Sequence, residues 1–242
     1  MKKLVIILSV IILGFAGVIW FSNKNKTGDG ERDYSQYRLA TIKDMATELE
    51  EDEEFDFSSI DTNKIIEASA QSGGLPENTE GEGELLIFEY ADYECSHCAE
   101  WSTVAEKIVK DYQGKVKLVF RGFVLDYNAN SVMAAAAANA AAIQGYWSEI
   151  KTIIFANQSV WAYLKSAKLK AEFESYFMSA SNGKGDLEKF RKDMESEAVA
   201  KKIAFDYQLG EKIQLTGTPT FIIDGESVEP NKLRSTIEDK LK

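Results

Sequence analysis

Cysteine is almost missing from this chain: the 242 residues include two, Cys95 and Cys98, within Cys95-Ser96-His97-Cys98. A framework of several structural disulfides is therefore excluded, and any sulfur chemistry falls to this pair. Histidine is scarcer still, His97 being the single one. A structural zinc site commonly takes four Cys or His ligands, so Cys95, His97 and Cys98 fall short unless a carboxylate or a partner completes the set. Basic charge is in deficit, with 28 Lys and Arg against 39 Asp and Glu for a net charge of -11. That argues against nucleic acid as a partner, because phosphate contacts need a basic surface. Proline occurs only three times, so each occurrence carries positional meaning. Long apolar runs are limited to one, at the amino terminus, which allows a single membrane span. No internal repeat is present.

That run extends from Leu4 to Phe21, follows Met1-Lys2-Lys3, and ends on Trp20 and Phe21. At about 1.5 Å per residue it nearly crosses a hydrocarbon core of about 30 Å. Its closing aromatics suit the membrane–water interface. Residues 1–23 thus read as a membrane anchor or signal segment. Cleavage at Gly14-Phe15-Ala16 is the competing reading, and it would leave Val18-Ile19-Trp20-Phe21 on the mature end. Lys24, Lys26 and Arg32 nearly balance Lys2 and Lys3, so charge does not fix the orientation; an exported C-terminal domain is the usual topology. Residues 24–82 read as an acidic polar linker. Within it Tyr34 to Glu51 has the composition of a helix without a core to demand one. Glu48 to Glu54 reads as a solvated spacer, since a calcium loop would need a glycine turn and alternating ligands.

From residue 83 the pattern becomes that of a packed domain. Glu84 to Tyr90 reads as a buried strand. The cysteine tetrapeptide follows, then a helix from Ala99 to Tyr112 with Trp101, Val104, Ile108 and Val109 at helical spacing, stopped by Gly114. Val116 to Phe120 alternates as a second strand, completing a βαβ unit. Helical stretches are expected at Ser131–Phe155, which is rich in alanine, at Val160–Met178, and at Asp186–Leu209 with a break near Ser196 to Ala198 and an end at Gly210. Thr220 to Ile223 reads as a strand, Asp224-Gly225 as a hairpin turn into Ser227-Val228, and Asn231 to Leu241 as a closing helix after Pro230. The expected fold class is α/β, a thioredoxin-like fold with a helical insertion at about 128–210 between the βαβ unit and a C-terminal ββα unit.

The order places Cys95 at a helix N-terminus and Cys98 one turn inside. Helix-starting N–H groups lack intrahelical partners and favour negative charge, so a Cys95 thiolate is stabilised there. A low thiol pKa also makes Cys95 a good leaving group. His97, between the two thiols, can stabilise that thiolate by charge or hydrogen bonding. Thr218-Pro219 directly precedes a strand. An X-Pro bond can be cis at modest cost, and a cis bond there would expose Thr218 backbone groups for an extended substrate to pair with.

Leu86 to Cys98, the alanine-rich helix leading into Tyr146-Trp147, Phe155-Ala156-Asn157-Gln158 and Thr216-Gly217-Thr218-Pro219-Thr220-Phe221 together resemble the DsbA-like thiol:disulfide oxidoreductases of the thioredoxin superfamily. The resemblance covers residues 84–242. It implies that Cys95 is the exchanging thiol, that Cys98 resolves, and that the bond before Pro219 is cis. It also implies that Glu89, six positions before Cys95, assists proton movement at Cys98; a strand acid reaching solvent is the alternative. Oxidising members carry proline where this chain has Ser96, a position that tunes the redox potential, so the direction of exchange stays open between oxidant and reductase or isomerase. No cofactor beyond the redox-active disulfide and no metal is expected. The partners implied are client proteins with cysteine thiols and a membrane redox partner that recycles the disulfide, with the domain on the extracytoplasmic side. A non-catalytic membrane-tethered binding or metal-handling protein is the reading from a different class.

Overall fold

The structure is a computed structural model, and it describes residues 42–46 and 75–242. The expected membrane segment at 1–23 and the acidic run Glu48 to Glu54 lie outside the described residues. Among the described residues no helix is long and apolar enough to cross a membrane.

Among the described residues five strands form one mixed sheet in the order β1-β3-β2-β4-β5. They are β1 (Asn78–Gly81), β2 (Leu85–Ala91), β3 (Val116–Gly122), β4 (Thr220–Ile223) and β5 (Glu226–Val228). β2 and β3 run parallel, as the crossover through helix α1 (Ser96–Asp111) requires. β1, β4 and β5 each pair antiparallel with their neighbours. The β4–β5 hairpin turns at Asp224 and Gly225 with φ of 51° and 79°, the double left-handed geometry that the Asp-Gly pair favours. On one sheet face Ile87, Leu118, Phe221 and Ile223 pack against Ala105 and Ile108 of α1 and against Leu233 and Ile237 of the last helix. Each fully buried side chain of this size contributes about 1.5–3 kcal/mol, so the helix carrying the cysteines sits on a firm base. The thioredoxin-like fold with a helical insertion is found as expected.

The insertion consists of α2 (Ser131–Ala142), α3 (Trp147–Ala156), α4 (Gln158–Trp161), α5 (Ser166–Ala180), α6 (Leu187–Met194) and α7 (Glu197–Lys212). The alanines of α2 are buried all round the helix, and their small side chains let α3, α5, α6 and α7 approach it. On the opposite sheet face, α7 is fixed by buried charge. Asp206 receives Arg121 of β3 at 2.9 Å and Lys202 at 2.6 Å, and Glu77 receives Arg121 at 3.1 Å. Removing one partner of such a pair costs about 3–5 kcal/mol, because the other charge stays buried.

Several boundaries differ from the sequence expectation. Residues 78–81, assigned to the linker, are strand β1, whose short polar pattern Asn-Thr-Glu-Gly gives no hydrophobic alternation. Gly83 just after it has no room for a side chain, since a Cβ would fall 1.9 Å from the Lys115 backbone. The helical region expected at 131–155 is two helices, separated where Gly145 takes φ of 80°. The stretch 160–178 is likewise divided between α4 and α5. The break near Ser196 is present, with the Ser196 hydroxyl accepting from Val199 N. Gly210 does not end its helix: it lies inside α7, where a Cβ would meet the Phe123 ring at 2.3 Å. Residues 42–46 do have a core to join, for Ile42 and Ala46 are buried and Lys43 pairs with Asp126 at 3.0 Å. The closing helix begins as a 3-10 turn at Pro230–Lys232 and continues as α8 (Leu233–Lys240).

Candidate active site

Strand β2 ends at Ala91, and the four residues 92–95 carry the chain into α1. Asp92 organises this turn from a buried position. Its carboxylate accepts from Glu94 N and Leu125 N, both at 2.7 Å, and from the Ser131 hydroxyl. Glu94 in turn accepts from Asn130 N at 2.8 Å. The Gln158 side-chain amide donates to the carbonyls of Tyr93 at 2.7 Å and Cys95 at 3.0 Å. The loop before the cysteines is thus bonded to both ends of the first part of the insertion. Losing the Asp92 acceptor would strand donors worth about 1–3 kcal/mol each. None of Asp92, Glu94, Asn130 or Gln158 is assigned a role by sequence reading. Aspartate before a helix is a weak signal, and the partners of the other three are remote in the chain.

Cys95 is the N-cap of α1, with φ of -75° and ψ of 119°, and the first turn of the helix contains no acidic residue. Its thiol is half-buried and free, while Cys98 is fully buried and free. The Cys95 thiol donates to the Thr218 carbonyl at 3.6 Å, and the Thr218–Pro219 bond is cis. Thr218 and Pro219 therefore stand beside the helix start although Cys98 and Pro219 are far apart in sequence. Ser96 and His97 are exposed at the first turn.

The two sulfurs are driven in opposite directions. Cys95 ionises at about 6 instead of 9.0, chiefly because the Cys98 thiol hydrogen-bonds to its thiolate. The Thr218 side chain and the backbone N–H groups of Cys98 and His97 act the same way, and partial burial opposes them. Cys98 is pushed far upward by burial first and by its bond to Cys95 second. One sulfur is thus available as a thiolate near neutral pH and the other is a proton holder.

Glu89 of β2 does not reach solvent. It is completely buried and neither carboxylate oxygen makes a hydrogen bond. Burial raises its pKa from 4.5 to about 7, against the opposing charge of Lys151 and the Ser102 side chain. Ser102 lies one helical turn beyond Cys98 on the same buried side of α1, which places Glu89 under the first turns of the cysteine helix. Lys151 of α3 is also fully buried, with Nζ 2.9 Å from Glu80 and 3.0 Å from Glu106. Sequence reading passes over Lys151, because a lysine in a helix is ordinarily solvated.

A strand-to-helix dithiol with one acidified sulfur is set against a Thr-Pro backbone carbonyl on this fold, an arrangement whose chemistry is thiol–disulfide exchange. The chain belongs to the thioredoxin family, whose family model, described as thioredoxin, matches residues 81–239. It is 32% identical over 145 residues to Na(+)/H(+) antiporter NhaA 3 of Salinispora tropica, a match covering 60% of this chain and 21% of that protein. The chain thus spans about a fifth of the antiporter's length. It is 26% identical over 168 residues to "Probable disulfide bond formation protein D" of Bacillus anthracis, covering 65% of this chain and 74% of that protein. Among solved structures, oxidised BdbD from Bacillus subtilis aligns with a TM-score of 0.57 at 20% identity, covering 68% of this chain and 92% of that one.

Proposed function

We propose that this protein is an envelope thiol:disulfide oxidoreductase that passes the Cys95–Cys98 disulfide to client protein thiols. A client thiolate attacks the Cys95 sulfur. The Cys95–Cys98 bond breaks, a client–Cys95 disulfide forms, and the Cys98 sulfur leaves with the electron pair and takes a proton from Glu89. A second client thiolate then attacks the client sulfur of the mixed disulfide. Cys95 leaves as the thiolate that its surroundings favour, and the client carries the disulfide away. A membrane redox partner reoxidises the dithiol, with the domain held on the extracytoplasmic side by the amino-terminal segment.

The observation that carries this reading is the separation of the two sulfurs, with Cys95 at about 6 and Cys98 raised. An acidified Cys95 stabilises the reduced form, which makes the disulfide an oxidant. The large exposed apolar side chains among the described residues are Tyr127, Val160 and Tyr163. Tyr127 lies in the segment between Leu125 and Asn130, which is bonded to Asp92 and Glu94. Val160 and Tyr163 flank the Trp161 and Ala162 carbonyls that accept from Asn130. Apolar side chains around a half-exposed thiol suit an unfolded client polypeptide. Equilibration with glutathione tests the direction of exchange. The expected potential is less reducing than about -200 mV, and a value near that of thioredoxin, about -270 mV, would identify a reductase.

A further inference from the structure

Residues 42–46 read in the sequence as part of a linker, yet they lie against the domain that carries the cysteines. They are helical, with Ile42 and Ala46 buried and Asp44 exposed between them. One face of the turn therefore points inward, as the i, i+4 spacing allows. The partners of Lys43, beside that face, identify the surface it occupies. Its ammonium lies 3.0 Å from the Asp126 carboxylate and 5.7 Å from the centre of the Tyr207 ring. Tyr207 of α7 stacks on Phe123 with ring centres 5.3 Å apart, and the Phe123 ring occupies the space where Gly210 has no Cβ. An exposed ion pair contributes little by itself; here it gives direction to a contact that two buried apolar side chains already make.

The segment that Lys43 reaches, 123–130, is the one that frames the cysteines. It leaves β3 with Phe123 N donating to the Ala91 carbonyl at 3.0 Å. Leu125 N and Asn130 N donate to Asp92 and Glu94 of the cysteine loop. Between those two inward bonds stand Asp126, held from outside by Lys43, and Tyr127, which is 80% exposed. The pKa of the Tyr127 hydroxyl is raised first by desolvation and then by the charges of Cys95, Asp92 and Cys98, so this ring stands on the cysteine side of the loop.

We propose that Lys43, with the buried pair Ile42 and Ala46, makes the linker part of the client-binding rim: by holding Asp126 from outside, it fixes the loop that presents Tyr127 beside Cys95, and so favours polypeptide clients over small thiols. This rests on the reading that the domain exchanges disulfides with client polypeptides. A polypeptide approaches the sulfur across Tyr127 and needs the loop in place, whereas glutathione reaches the half-buried Cys95 thiol without it. A loop ordered in advance spares the complex the entropy of ordering it on binding. The effect therefore falls on KM and not on the chemical step. Lys43 is a positioning residue that acts through Asp126 and touches neither sulfur.

The test uses the full-length oxidised protein in two measurements: exchange kinetics with a reduced cysteine-containing polypeptide and with glutathione, and amide hydrogen exchange over 123–130. Lys43→Glu sets two carboxylates against each other, and Ile42→Asp puts a charge on the buried face. Each is expected to raise KM for the polypeptide about three- to tenfold with kcat kept, and to speed amide exchange over 123–130 with β2 and β3 unaltered. Lys43→Glu combined with Asp126→Lys restores the pair with its charges reversed and is expected to recover both readouts. Lys43→Glu is a surface change, so the test does not depend on Ile42→Asp folding. Polypeptide KM and loop protection unchanged in folded Lys43→Glu overturn the proposal. So does an equal loss of glutathione exchange, which would mark a general defect at Cys95. A parent protein that exchanges with glutathione but not with the polypeptide overturns instead the client reading on which the proposal rests.

Discussion

Replacing Cys95 by serine is expected to abolish exchange with client thiols, by roughly a thousandfold or more, while the fold stays intact. Serine has no sulfur, so neither the bond to Cys98 nor a mixed disulfide with a client can form at this position. Cys95 is half-buried and its thiol makes one long bond to Thr218, so the substitution leaves no cavity. Cys98→Ser should behave differently. The Cys95 thiolate still attacks a client disulfide, but nothing resolves the adduct, and a stable mixed disulfide accumulates. Cys98→Ala adds a second readout. The Cys98 thiol is the largest influence holding Cys95 down, so its removal should raise the Cys95 midpoint toward the ordinary thiol range. Client exchange assayed by gel shift under non-reducing conditions separates these outcomes; exchange undiminished in Cys95→Ser would reject the assignment of the nucleophile.

Glu89→Gln is expected to slow exchange by about a hundredfold, the usual contribution of one positioned acid or base, and to stabilise the protein. The second effect follows from the sign of the shift. Glu89 has a folded-state pKa of about 7 against 4.5, so folding favours its protonated form. Below about 4.5 the carboxyl is neutral in both states and costs nothing. Between the two values the cost grows, and above about 7 it levels off at about 3 kcal/mol. The variant should therefore match the parent protein in denaturant titrations at acid pH and exceed it by about that amount above neutrality. Loss of activity without this pH-dependent gain would mean that Glu89 is charged and satisfied, contrary to its buried, unbonded oxygens.

The fold and the placing of the two cysteines at a helix start were legible because their signals are local. Cys95-Ser96-His97-Cys98 follows an apolar strand and opens a helix with apolar spacing, and Asp224-Gly225 dictates its own turn. What sequence could not supply depends on convergence. Asp92 becomes the anchor of the cysteine loop only because Leu125 and Ser131 return to it. Lys151 looks like any surface lysine until β1 and α1 bring Glu80 and Glu106 around it. Strand β1 is a polar strand at the sheet edge beside β3, without the alternation that would announce it, and its Glu80 lies 2.9 Å from that lysine. Gly210 reads as a helix stop, but its reason lies in the Phe123 ring above it. Glu89 was open between assisting proton movement at Cys98 and a strand acid reaching solvent, and packing removes the second by burying it completely.

The central claim is that Cys95 gives up its proton far more readily than an ordinary thiol while Cys98 does not. Thiolate absorbance in the ultraviolet, followed across pH in the reduced protein, measures this directly. A single sulfur ionising at about 6, lost in Cys95→Ser and with no second ionisation below the range where the protein unfolds, is the expected result. Two sulfurs titrating together near 9.0, the unperturbed thiol value, would contradict it.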